Sequence, residues 1–231
     1  MRDGNRSLGN VHSLDRTASS LLKTDPPVSR SRALAASIGL SLLFLLVYGG
    51  CLWITARHGQ PGVFYFSWER AIPFVPLMIV PYLSIDIFFV AAPFLFASEK
   101  ELRLFVRRVA SAIVIAGLFF LVVPLRFAFP RPHATGWLGT LFDWFRGMDA
   151  PYNLFPSLHA TLLVFLIDAY ARHLRGPMRA VVMFWFVLIG FSPLLTHQHH
   201  LIDILGGFAL AAACFLFIRP KFSLDSVNEI P

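Results

Sequence analysis

The chain has 231 residues, of which 56% are hydrophobic and only 14% are charged, and its formal net charge is +7. Soluble domains have about 25% charged residues, and a chain of this length cannot bury so much apolar surface in one core. The composition excludes a disordered chain, disfavours a soluble globular protein and favours a polytopic membrane protein. In that class a positive balance marks cytoplasmic loops, so no nucleic-acid partner is expected.

Six apolar stretches follow one another along the chain, each close to the about 20 residues that cross a bilayer as a helix. They cover residues 33–54, 72–96, 106–125, 158–170, 178–195 and 201–218. Apolar and polar residues do not alternate in them, which argues against a closed barrel. The predicted fold class is all-α: a polytopic membrane protein with six transmembrane helices in one bundle. This membrane domain, residues 33–220, lies between a polar tail at 1–32 and a short tail at 221–231.

The linker between the third and fourth stretches, residues 126–156, is too long for a simple connection. Trp137, Leu141 and Phe145 recur in it at i, i+4 and i+8. This spacing predicts a short amphipathic helix that lies on the outer leaflet. A packed lid without lipid contact is the alternative.

Lys and Arg are distributed unevenly between the two sides that six spans define. The side with both termini carries 15 of the 20 Lys and Arg residues, and the opposite side carries the other 5. By the positive-inside rule both termini are cytoplasmic. The predicted location is a multi-pass position in a membrane such as the bacterial inner membrane, with the opposite side facing the periplasm.

Three polar clusters interrupt the apolar background, and all three fall on the extracytoplasmic side. They are residues 125–133, 153–159 and 196–203. The clusters are far apart in sequence, yet the predicted topology places them on one face of the membrane. Their convergence indicates a functional site.

The chemistry of the clusters is typical of phosphoryl transfer. His199 and Asp203 are four residues apart, which puts them on one face of a helix. A carboxylate that holds one imidazole nitrogen leaves the other nitrogen as a nucleophile or base. Ser157 and His159 open a helix, where an anion is favoured, and Arg131 is suited to grip a phosphate. The set predicts an attacking His, a second His as acid, and an anion cradle.

Each cluster also has a simpler interpretation. Arg131, which precedes a proline, is typical of an interfacial anchor, and His159 fits the headgroup layer. The run from His197 to His200 also suits a transition metal such as Zn or Cu, although Asp203 is an equally good orienter of an imidazole.

The same residues resemble the three signature motifs of the type 2 phosphatidic acid phosphatase superfamily. The matching patterns are Arg-Pro at Arg131, Pro-Ser-x-His ending at His159, and His-x-x-x-Asp from His199 to Asp203, in the family's order. The resemblance covers about residues 77–218. It implies a six-helix membrane bundle that acts on a membrane lipid phosphate and requires no metal or other cofactor.

The resemblance also implies a role for each matching residue. His199 is the nucleophile and forms a phosphohistidine, and Asp203 orients it. His159 protonates the leaving alkoxide, while Arg131 and Ser157 bind the phosphate.

Two positions depart from the family's pattern. Pro124 stands where the first motif begins with Lys, and Pro193 stands where the third motif has Arg. Arg126 is a candidate replacement for one of these cations. The third motif is closest to the inositol phosphorylceramide synthase-like branch, which, like sphingomyelin synthases, passes a headgroup to a lipid alcohol instead of water.

Three functions therefore remain open. The first is a lipid-phosphate phosphatase that hydrolyses a phosphomonoester or diphosphate lipid. The second is a lipid headgroup phosphotransferase that uses the same His, and the third is a non-enzymatic lipid-phosphate transporter.

Asp86 is an acid inside the second apolar stretch. An unpaired ionised acid at mid-bilayer costs about 2.5–3.5 kcal/mol on insertion scales. Asp86 is therefore expected to face the bundle interior beside Tyr82, as a structural contact about 15 Å or more from the polar clusters.

Overall fold

The structure is a computed structural model that describes residues 25–148 and 152–220. Within those residues it is all-helical and contains no strand, which confirms the all-α class. The predicted tail at 221–231, and residues 1–24 of the predicted tail at 1–32, lie outside the described residues. The α-helices are α1 (Arg30–His58), α2 (Ile79–Ala91), α3 (Glu99–Val122), α4 (Gly136–Met148), α5 (Leu158–His173), α6 (Gly176–Leu195) and α7 (Leu201–Phe217).

Within residues 25–148 and 152–220, four segments are long and apolar enough to cross a membrane. They are Arg30–His58, Pro76–Leu95, Glu99–Val122 and Gly176–Leu195. The other two predicted spans correspond to α5 and α7, which have 16 and 17 residues. At 1.5 Å per residue these two helices are roughly 24 and 26 Å long, somewhat less than the about 30 Å of a hydrocarbon core. A membrane protein is thus supported, and the count of six spans stays a prediction.

The second apolar stretch is not one continuous helix. Short 3₁₀ turns, Pro76–Met78 and Ala92–Leu95, flank α2 at its two ends. A proline stands near the start of each turn, where its missing N–H does no harm. The α-helix therefore begins at Ile79, seven residues later than the apolar stretch suggests.

Helix α5 lies at the centre of the bundle, against α3, α6 and α7. Its apolar side chains are almost all buried, and it approaches α7 most closely at Gly207. There the Thr161 hydroxyl donates to the Gly207 carbonyl at 3.0 Å. A side chain at position 207 would collide with the first turn of α5. The N-terminal ends of α5 and α7 are therefore held side by side.

Helix α4 confirms that the linker between α3 and α5 contains a helix. It packs the fully buried Phe142 against Ile79 and Tyr82 of α2, together with Phe145. Of the predicted apolar face, Leu141 and Phe145 pack toward this cluster while Trp137 is 64% exposed, so contact of the helix with the outer leaflet stays a prediction. Residues spaced by four drift about 40° per step around a helix, so Trp137 lies outside the face that meets α2.

Candidate functional site

A cavity of about 260 Å³ opens between α1, α2, α4 and α5, and both His159 and His199 line it. Most of its wall is apolar, with Phe44 and Leu45 on α1 and Leu83 on α2. The two predicted catalytic imidazoles, 40 residues apart in sequence, are thus brought to one enclosed space. The first turn of α5 and the loop before α7 supply them.

His199 stands between a hydroxyl and a carboxylate. Its Nε2 lies 3.3 Å from the Ser157 Oγ, and its Nδ1 lies 3.6 Å from an Asp203 carboxylate oxygen. The second distance is an ion-pair contact and longer than a hydrogen bond. His199 precedes α7 and does not lie on it, so the pairing arises from the bend into the helix at His200.

The carboxylate oxygen of Asp203 that faces His199 is also held by the start of α7. Asp203 is 1% exposed, and its carboxylate accepts the His200 backbone N–H at 2.8 Å, which caps the N-terminus of α7. The Ser157 backbone N–H donates to the Asp203 carbonyl at 2.9 Å. These two bonds tie the second and third polar clusters together.

The tautomer of His159 is set by an unusual acceptor. Its Nε2 lies 3.2 Å from the Ile189 carbonyl, which can only accept, so that nitrogen carries a proton. The carbonyl has no helical donor because the residue four positions on is Pro193, which has no N–H, and it also accepts the Ser192 hydroxyl at 2.8 Å. Its ring stacks on Tyr82, with centroids 4.5 Å apart and planes 11° apart. His159 is thus held at both its ring face and one edge, and Nδ1 is left for proton transfer.

His200 has a second carboxylate that the sequence reasoning missed. Its Nδ1 donates to Glu69 at 2.9 Å, and its Nε2 accepts the Ala128 backbone N–H at 3.0 Å. Glu69 is 3% exposed and also accepts the Leu201 N–H, the first of α7, at 3.2 Å. With both ring nitrogens engaged, His200 has neither left for chemistry. One signal was available: Glu69 is the only acid in residues 59–78.

His197 is turned away from the other two imidazoles. It has a positive φ of 54°, and its Nε2 donates to the Ile72 carbonyl at 3.1 Å. Burial lowers the pKa of His197 below its ordinary value, and the nearby His200 and Arg146 lower it further. His197 is therefore a neutral packing residue of the loop.

The predicted phosphate-binding arginines lie outside the cavity. The Arg126 side chain is exposed, and its backbone N–H donates to the Gly62 carbonyl. Arg131 is half-buried near Arg146 of α4, a neighbour that the sequence reasoning did not assign to the site. Burial lowers the pKa of Arg146, and the positive charge of Arg131 lowers it further. Only Ser157, of the three predicted phosphate ligands, contacts His199.

Two further polar residues line the cavity without having been predicted there. Asn153 donates to the Tyr48 carbonyl at 2.9 Å, and its buried carbonyl oxygen has no hydrogen-bond partner among the described residues. Asp86 was expected in the bundle interior and remote from the site, and the expected remoteness is wrong. Its side chain is exposed and lines the same cavity as His159. Because α2 begins later in the sequence than predicted, Tyr82, one turn before Asp86, already contacts His159.

Residues 25–148 and 152–220 contain no group of three or more candidate metal ligands. The imidazoles of His197, His199 and His200 face three different partners, so the geometry gives no support to the metal-binding interpretation. No protein-family model matches the chain, and no solved structure matches it significantly.

Proposed function

We propose that this chain is an integral membrane lipid-phosphate phosphatase with an extracytoplasmic active site. It would hydrolyse a phosphomonoester or diphosphate lipid through a phosphohistidine. The observation that carries this proposal is the placement of His199, whose Nε2 faces Ser157 while its Nδ1 faces Asp203, in one cavity with His159.

In the first half-reaction the Nε2 lone pair of His199 attacks phosphorus, and the bond from phosphorus to the lipid oxygen breaks. His159, which enters the reaction as the imidazolium with protons on both ring nitrogens, gives its Nδ1 proton to the leaving alkoxide. Asp203 stabilises the positive charge that develops on the imidazole, as in other His–carboxylate pairs. Ser157 donates its hydroxyl hydrogen to a phosphate oxygen, a role that its place at the N-terminus of α5 supports.

In the second half-reaction water attacks phosphorus and the bond between phosphorus and nitrogen breaks. His159, now neutral, takes a proton from the water and returns to its starting state. The products are inorganic phosphate and the lipid alcohol. His199 leaves phosphorus as a neutral imidazole whose Nδ1 proton faces Asp203.

A lipid headgroup phosphotransferase is the second candidate. The apolar wall of the cavity favours it, because a lipid alcohol would fit there in place of water. The first half-reaction is unchanged, and the acceptor hydroxyl then attacks the phosphohistidine while His159 takes its proton.

The test is turnover by the purified chain in detergent with EDTA, on a panel of lipid phosphates. Released phosphate and new phospholipids are both measured, with and without diacylglycerol or ceramide as acceptor. Released phosphate alone supports the phosphatase, and a new phospholipid supports the transferase. Binding without any turnover would contradict both and favour a transporter.

The variants assign the roles. We expect His199→Ala to lose nearly all turnover, Asp203→Asn roughly a thousand- to ten-thousandfold, and His159→Ala about a hundred- to ten-thousandfold. His58→Ala, at an exposed position, is the matched control. Full activity of folded His199→Ala would rule out the proposed nucleophile.

A further inference from the structure

Among the residues that the structure describes, the cavity wall contains one acid that the proposed chemistry does not use. Asp86 of α2 lines the cavity, and it also lines an adjoining outer groove with Ile87, Val90 and Phe94. Its side chain is exposed, and no hydrogen bond or ion pair joins its carboxylate to another residue in the described part of the chain. Asp86 therefore stands at the mouth of the cavity with its bonding capacity unused.

The position of Asp86 relative to the imidazoles is defined by α2. Tyr82 stacks on His159, and Asp86 follows one helical turn later on the same face of α2, about 6 Å further along the axis. A lipid whose phosphate lies at His199 would place its backbone groups, a few bonds from phosphorus, beside this turn.

The apolar surroundings of Asp86 favour a ligand that donates a hydrogen bond to its carboxylate. The neighbouring wall is formed by apolar side chains such as Phe44, Leu45 and Leu83, which suit hydrocarbon chains. A carboxylate in such surroundings is costly unless a hydrogen-bond donor faces it. In its ionised form the Asp86 carboxylate only accepts hydrogen bonds, and the ester oxygens of a diacylglycerol backbone also only accept. Ester lipids therefore leave the ionised form of Asp86 unpaired.

We propose that Asp86 determines specificity by accepting a hydrogen bond from the substrate's backbone. The inference rests on the proposed function, and it narrows the substrate class to lipid phosphates with a hydroxyl, amide or amine donor beside the phosphate. A ceramide-type backbone offers two such donors. Diacyl phosphates offer none and bind less well.

The experiment compares ceramide 1-phosphate with phosphatidate of matched chain length, using the full chain in detergent micelles. The wild type should favour ceramide 1-phosphate in kcat/KM by about ten- to a hundredfold, the range of a hydrogen bond to a charged group. Asp86→Leu should remove most of that preference by lowering kcat/KM for ceramide 1-phosphate alone. Ile167→Ala, at an exposed apolar position of α5 outside the cavity and the groove, is the control and should keep the wild-type ratio.

Two further arms sharpen the result. A 3-deoxy analogue of ceramide 1-phosphate separates the hydroxyl from the amide as the donor. Asp86→Asn keeps the size of the side chain, so it should fold if Asp86→Leu does not, and it should weaken the preference because the acceptor loses its charge.

The outcomes are distinguishable from failure of the proposed function. If the wild type turns over both lipids and the ratio is the same in the Asp86 variants, the role of Asp86 is overturned and the phosphatase stands. If the wild type turns over no lipid phosphate at all, the phosphatase is overturned and the role of Asp86 with it.

Discussion

Glu69 holds three hydrogen-bond donors with one carboxylate. They are the His200 imidazole, the Leu201 N–H and the Phe66 N–H, and the farthest is 132 residues away in sequence. Through His200, whose own N–H holds Asp203, this carboxylate also orients the pair at His199. Glu69 is thus a positioning residue at the third polar cluster.

Removing this carboxylate should be costly. We expect Glu69→Ala to lower both the melting temperature and the turnover, since each buried donor left unpaired costs about 1–3 kcal/mol. Glu69→Gln keeps the shape of the side chain. Its amide NH2 would, however, face one of these N–H groups where an acceptor oxygen now lies, so we expect an intermediate loss of melting temperature and turnover. Thermal unfolding in detergent and turnover per folded molecule measure the two effects. Glu101→Ala, which removes an exposed acid of α3, should change neither. Wild-type stability of Glu69→Ala would refute this role.

The site shows how far residues can be predicted from sequence spacing. Ser157, His159, His199 and Asp203 were predicted because each lies in a short polar motif, and they do meet. Glu69 was missed because its contact with His200 depends on how a loop packs over α7, which no local spacing encodes. Arg126 has the right charge and lies near the end of α3, but its side chain faces outward.

At the scale of elements, the packing of α5 against α7 decides whether the two predicted catalytic motifs meet. A Cβ at Gly207 would collide with the Ser157 carbonyl and would lie 2.9 Å from the Ala160 Cβ. Both obstacles belong to the first turn of α5, which has no freedom to move aside without carrying Ser157 and His159 with it.

We therefore expect Gly207→Ala to lower the melting temperature and to reduce turnover at least tenfold, with the loss in kcat larger than in KM. The matched control is Gly49→Ala on α1, where a Cβ meets no atom within 4 Å. That change replaces a helical glycine in open space and should stabilise the protein by up to about 1 kcal/mol. Equal behaviour of the two variants would show that α5 and α7 tolerate a wider separation.

The helices that could be predicted from the sequence are those that a long apolar run alone defines. The first, third and fifth apolar stretches correspond to α1, α3 and α6, because a long apolar run has no other stable conformation in a membrane. The start of α2 was missed, since proline-containing turns are as apolar as the helix that they precede. That error of seven residues accounts for the misplacement of Asp86.

At the scale of the whole molecule, the loop around His197 couples stability to pH. Burial lowers the pKa of His197 below 6.5, and the unfolded chain keeps that ordinary value. Below pH 6.5 the unfolded state therefore binds more protons than the folded state, so stability falls as the pH falls. Above pH 6.5 His197 is mostly neutral in both the folded and the unfolded state, so its titration no longer lowers the stability of the fold.

The expected result is a melting temperature that declines as the pH falls from about 6.5 to about 5. His197→Gln should flatten part of this decline, because its amide is able to donate to the Ile72 carbonyl and does not titrate. His58→Gln, at an exposed position, should leave the slope unchanged. Identical slopes in wild type and His197→Gln would show that the titration lies elsewhere.

Pro193 has a consequence for which substitutions this part of the fold can accept. The proline leaves the Ile189 carbonyl without its helical donor, and that carbonyl accepts the Ser192 hydroxyl at 2.8 Å and the His159 ring N–H at 3.2 Å. Any residue with an N–H at position 193 would restore the helical bond and compete with the His159 ring for this carbonyl. Residues 159 and 193 therefore form one evolutionary unit: replacing the proline alone would weaken the anchor, so a change at either position should be accompanied by a change at the other.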